Sequence, residues 1–142
     1  MTETTKPGTA LRRDHDRLET IYAELLESFA GGDWDDVRAS WDHLDQGLRA
    51  HLLQEEQSVF PSLRLVEPVE VAELQREHAE LRRVLGELGV AVDLHMVRDD
   101  LAKALIERLR AHAAREDALA YRFADEHAAQ AAALRVASTH PA

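Results

Sequence analysis

The chain has no cysteine. Disulfides, thiolate metal sites and cysteine nucleophiles are therefore excluded. Residues that interrupt helices are scarce, with Gly 6 and Pro 4 in 142 residues. No stretch approaches the roughly 18 apolar residues of a membrane span. Basic residues are the minority: Lys plus Arg is 17 against 27 for Asp plus Glu, a formal net charge of −10. That balance argues against a nucleic-acid or anionic-membrane partner. Met1 to Ala10 is polar and has no apolar run. The expectation is therefore no signal peptide and a cytoplasmic location. The length suits one domain with one sizeable core.

What the chain does have is Ala, Leu, Glu and Arg, all strong helix formers. Strand-type alternation is hard to find, so the predicted class is all-α. Met1 to Thr9 reads as a leader. A first helix is predicted from about Leu11 to Phe29, with the stripe Leu11, Leu18, Tyr22, Leu25, Phe29. Gly31-Gly32 ends it, and Asp33 is placed to cap the next helix. The second runs from Trp34 to Phe60, with the stripe Val37, Trp41, Leu44, Leu48, His51, Glu55, Val59. Pro61 should end or kink it. Pro68 suits the first turn of a third helix, Val69 to Leu88, with the stripe Val71, Leu74, His78, Leu81, Leu85, Leu88. Gly86 and Gly89 weaken its end, and residues 90 to 98 are expected to form a loop. The fourth runs from Asp99 to Ala128, with Leu101, Leu105, Leu109, His112, Glu116, Leu119 and Phe123 on one face. Short connections make sequential helices antiparallel neighbours. The predicted architecture is an up-down-up-down antiparallel four-helix bundle over residues 10–130, with a tail at 131–142.

Six polar residues occupy slots in these apolar stripes: His15, His51, Glu55, His78, His112 and Glu116. His15 fills the gap between Leu11 and Leu18. A lone histidine on an apolar face is more often a hydrogen-bonded core residue than a ligand. Four of them, one per helix, with two glutamates, are a different matter. An unpartnered buried carboxylate costs on the order of several kcal/mol, and a bound cation reverses that sign. The two His-x-x-x-Glu pairs, His51/Glu55 and His112/Glu116, each lie on one helix face, a turn apart. The pattern also repeats, since His15 to His51 is 36 residues and His78 to His112 is 34. Two half-sites facing each other fit two metal ions bridged by the two carboxylates. Imidazole with carboxylate suits Fe, Zn, Mn or Cu. Six ligands for two ions, with no thiolate and with open positions, favour non-haem iron over structural zinc. His43 and His127 fall off the stripes and read as surface residues. His95 falls in the expected loop and His140 in the tail.

The motifs Asp14-His15, His51-x-x-x-Glu55-Glu56 with Phe60-Pro61, Glu77-His78, and His112-x-x-x-Glu116-Asp117 resemble those of the hemerythrin-like family, the His-His-Glu cation-binding domains. The resemblance spans about residues 10 to 128. It implies a four-helix bundle holding two Fe ions with an oxo or hydroxo bridge. It also implies binding of, or reaction with, O2, peroxide or NO, so the partner is a small diatomic or peroxide ligand. A non-enzymatic iron- or oxygen-responsive module is the alternative. The O2-carrying hemerythrins have a His-x-x-x-His pair on the third helix; here Leu74 and Arg82 flank His78 at four residues. Water completes that metal, or Glu19, Tyr22, Glu56 or Tyr121 does. Glu56 also reads as a hydrogen-bond partner of a ligand, and Tyr22 and Tyr121 as core residues. The departure argues against reversible O2 carriage and for an additional exchangeable position.

Overall fold

A computed structural model describes residues 7–96 and 98–121, and every regular element among them is helical. Five α-helices follow in order: α1 Pro7–Gly31, α2 Trp34–Ser58, α3 Phe60–Arg64, α4 Pro68–Asp93 and α5 Asp99–Glu116. The last continues as a π-helical turn, Asp117–Tyr121. Helix α1 packs on α2 and α5, and α4 packs on the same two. The four long helices thus surround one interior as an all-α helical bundle. Among the described residues no helix is long and apolar enough to cross a membrane. The predicted leader up to residue 6, the fourth helix beyond residue 121 and the tail 131–142 lie outside the described residues.

The α1–α2 turn forms as its residues dictate. Gly32 takes φ 74°, a left-handed conformation that glycine adopts without strain. The Asp33 carboxylate accepts from the Asp35 N–H at 2.9 Å and caps α2.

Two boundaries differ from expectation. The helix predicted from Trp34 to Phe60 ends at Ser58, and the residues around Pro61 form the separate short helix α3. Pro61 has no N–H to donate to the Gln57 carbonyl, so the ladder cannot run through it. Second, α4 does not stop at Leu88 but runs to Asp93, where a loop was expected. Ala91 and Val92 carry its buried face onward, and that burial outweighs the two glycines.

Gly89 has a packing role that Gly86 lacks. A methyl group at 89 would sit 2.9 Å from Cζ2 of the buried Trp41 indole, whereas one at 86 would meet nothing within 4 Å. Ala gains about 1 kcal/mol over Gly in a helix. Overpacking against a fixed ring costs about 1–3 kcal/mol. Gly86→Ala is therefore expected to raise the melting temperature, and Gly89→Ala to leave it unchanged or lower it. Thermal melts of the two variants side by side check this.

The apolar interior is in two parts. A large cluster includes Leu18, Leu25, Leu48, Leu85 and Leu105. A small one joins Val59, Phe60 and Leu63 to Val71 and Leu74. Between them along α2 and α4 lie His51, Glu55 and His78, all buried. Helix α3 thus closes one side of a polar layer, and the Phe60 ring lies 5.0 Å from the His78 ring.

Candidate metal centre

All four long helices bring a histidine to this layer, because each carries one where its apolar stripe faces the interior. His15 and His51 meet with their Nε2 atoms 2.8 Å apart, and His78 and His112 with theirs 3.0 Å apart. Glu55 Oε1 lies 2.9 Å from His51 Nε2 and 3.7 Å from His78 Nε2. Glu116 Oε1 lies 2.7 Å from His112 Nε2 and 3.9 Å from His15 Nε2. Two groups result, each with one ligand atom per residue within 4.8 Å of all the others: His15, His51, Glu55 and Glu116, and Glu55, His78, His112 and Glu116. Both carboxylates belong to both groups. Glu55, His78 and Glu116 are 0% exposed, and His51 and His112 are also buried.

These residues fit a cation better than they fit one another. A carboxylate only accepts hydrogen bonds, so an imidazole nitrogen bonded to one must carry the hydrogen. His78 Nδ1 donates to Glu56 and His112 Nδ1 donates to Glu77, each at 2.8 Å. In neutral rings both Nε2 atoms then hold lone pairs, and these face each other. The same assignment explains Glu116. Among the described residues both its oxygens are buried without a hydrogen-bond donor, although His112 Nε2 is in contact distance. In the neutral ring that nitrogen has no hydrogen to give. Ligand atoms at right angles about one ion, each about 2.1 Å from it, lie about 3 Å apart. The two Nε2–Nε2 separations match that spacing.

In the metal-free protein a proton does part of the cation's work. Burial pushes His51 down, but hydrogen bonds to Asp14 and Glu55, together with their charges, outweigh it and raise His51 to about 9. Burial is the main cause that lowers His15 and His78. Because the folded value of His51 exceeds its ordinary 6.5, its proton stabilises the fold fully below pH 6.5, and this is lost as pH rises through about 9. The metal-free protein is therefore expected to lose stability between those limits, by on the order of 3 kcal/mol at most. Metal uptake should strengthen over the same window, as the ligand gives up its proton. Denaturant titrations of chelated protein at the two ends of the window check this.

The other singled-out residues sit elsewhere. The Glu19 carboxylate is held at the surface by Arg110 at 2.9 Å. Glu56 is engaged by His78 and by both terminal nitrogens of Arg82 at 2.7 Å, and that arginine holds its carboxyl below the usual range. Tyr22 is buried, which raises its phenol, and it lines a cleft of about 230 Å³ with His15, Leu109, Ala113 and Asp117. Tyr121 falls in the π-helical turn, and its side chain lies outside the described residues. His43 is exposed and pairs with Glu24. His95, at φ 57°, stacks on Trp34 in the link after α4; His127 and His140 lie outside the described residues. Leu74 packs in the small apolar cluster.

Sequence reasoning passed over Asp14, Glu77 and Asp117 as site residues. Asp14 Oδ2 accepts from His51 Nδ1 at 2.7 Å, Glu77 binds His112, and Asp117 Oδ1 lies 3.5 Å from His15 Nδ1. A signal was present. Asp14 and Glu77 each precede a core histidine, and Glu56 and Asp117 each follow a core glutamate. One residue along a helix is about 100° of rotation, which turns such a side chain from the interior toward the neighbouring helix.

The family model described as the hemerythrin HHE cation binding domain matches residues 7–124. No curated protein and no solved structure matches the chain.

Proposed function

The chain belongs to the hemerythrin HHE cation-binding family, and from that premise we propose that it is a non-haem di-iron protein that binds or reacts with O2, peroxide or NO. The reading takes the four long helices as an up-down-up-down bundle. One observation carries it: the two histidine pairs share the same two buried carboxylates. His15 and His51 would hold one iron, His78 and His112 the other, and Glu55 and Glu116 both. The two carboxylate charges offset part of the charge that two cations bring into a layer with little solvent. Bound iron would supply one-electron chemistry and open positions for a small ligand.

The remaining roles fall to the chain itself. The small apolar cluster around Phe60 and Leu63 excludes water from the His78 side. The His15 side chain is 11% exposed against 0% for His78, and the cleft beside it is lined by Tyr22 and Asp117. A ligand of two to four atoms fits such an entry. No third-helix partner joins His78, because Leu74 is packed away and Arg82 is bound to Glu56. That leaves a further position for exchange.

Iron-loaded, reduced protein should form a coloured adduct with O2 or NO, or consume hydrogen peroxide catalytically. An iron-loaded sample that does none of these would overturn the reading.

A further inference from the structure

The carboxylates around the histidines follow a single direction. Asp14 on α1 accepts from His51 on α2 at 2.7 Å. Glu56 on α2 accepts from His78 on α4 at 2.8 Å. Glu77 on α4 accepts from His112 on α5 at 2.8 Å. Asp117, just after α5, faces His15 on α1 at 3.5 Å. Each helix thus supplies the carboxylate for the histidine of the next, all the way round the bundle. The three close carboxylates are themselves gripped by arginines: Asp14 by Arg17, Glu56 by Arg82 and Glu77 by Arg115.

We propose that Asp14, Glu56 and Glu77 are positioning residues of the metal centre, each fixing the tautomer and ring direction of the histidine on the next helix so that its Nε2 lone pair faces the metal. This rests on the metal-binding reading above. A neutral imidazole has one hydrogen, and a charged carboxylate at Nδ1 claims it. Arginine holds the carboxylate in place, so the ring cannot turn with it. Groups of this kind typically change metal affinity 10–100-fold.

The arrangement makes an unusual assignment. Glu56 is adjacent in sequence to Glu55, yet it acts on His78 rather than on His51 of its own helix. Glu56 and Glu77 therefore serve one metal, the His78–His112 one. Asp14 serves the other, through His51. In Glu77→Gln the Arg115 donor claims the amide oxygen at the Oε2 position, so the amide N–H2 faces His112 and reverses its tautomer. The same holds for Asp14→Asn before Arg17, whereas the Glu56 oxygen that faces His78 is itself held by Arg82, so Glu56→Ala is the variant that removes the acceptor.

The test is a titration of the metal-free full chain with cobalt(II), followed by visible absorption, in wild type and the three variants. His51→Ala and His78→Ala identify which step belongs to which histidine pair. Glu56→Ala and Glu77→Gln are expected to weaken the same step, the one lost in His78→Ala, by 10–100-fold. Asp14→Asn should weaken the other. Metal-free melting temperatures are measured alongside. Unchanged affinities, or equal weakening of both steps that merely follows a fall in melting temperature, would overturn the positioning role. Wild-type protein that takes up no cobalt would overturn the metal-binding reading beneath it, which is a distinguishable failure.

Discussion

Removing the metal with a chelator is expected to lower the melting temperature by about 10 °C. Metal present at a thousandfold above its dissociation constant contributes about 4 kcal/mol to the folded state. Each kcal/mol moves the melting temperature of a domain this size by about 2–4 °C. The loss is large because of what remains. Glu55 and Glu116 are fully buried, the Nε2 atoms of His78 and His112 stand 3.0 Å apart, and among the described residues neither Glu116 oxygen receives a hydrogen bond. Apolar clusters on both sides of the layer limit the solvent that can relieve them. Circular dichroism melts before and after chelation, and after iron is restored, measure the effect. A chelated protein as stable as the loaded one would show that the polar layer satisfies itself without a cation.

Glu116→Gln is expected to act with opposite signs on stability and on metal binding. Without metal, a neutral amide removes a buried charge that no donor balances. Its N–H2 can donate to His112 Nε2, 2.7 Å from the present Oε1 position. The metal-free variant should therefore be more stable, by on the order of 1–3 kcal/mol. With metal, the same change removes a ligand from both groups at once, because Glu116 belongs to both. Affinity should fall at both steps, and by more than the 10–100-fold typical of a residue that acts through a ligand. His51→Ala is the contrast, since His51 belongs to one group only and should spare the other step. Metal titration and denaturant unfolding of metal-free protein give the two readings. A Glu116→Gln protein that is less stable without metal, or that keeps either step intact, would contradict the shared-carboxylate arrangement.

The helices and the residues facing their interior were legible because a 3.6-residue period marks one face of each helix without reference to any other. That is how His15, His51, Glu55, His78, His112 and Glu116 stood out, and the structure brings those six together. The capping of α2 by Asp33 was legible for the same local reason. What was not legible depends on two helices at once. Gly89 looks like a weakness in α4 until the Trp41 indole is seen against it. Asp14 and Glu77 look like solvated charges until the neighbouring helix puts a histidine nitrogen before each. Periodicity says which way a side chain leaves its own helix, but not what stands opposite. Arg82 is the same case: four residues from His78 it reads as a ligand lost, and in the fold it is the clamp on Glu56.

The measurement closest to the central claim is iron content per chain, taken with the visible and near-ultraviolet spectrum, on protein expressed in iron-supplemented medium. Two histidine pairs sharing Glu55 and Glu116 predict two irons per chain and strong iron(III) absorption. One colourless zinc per chain, or no metal at all, would contradict it.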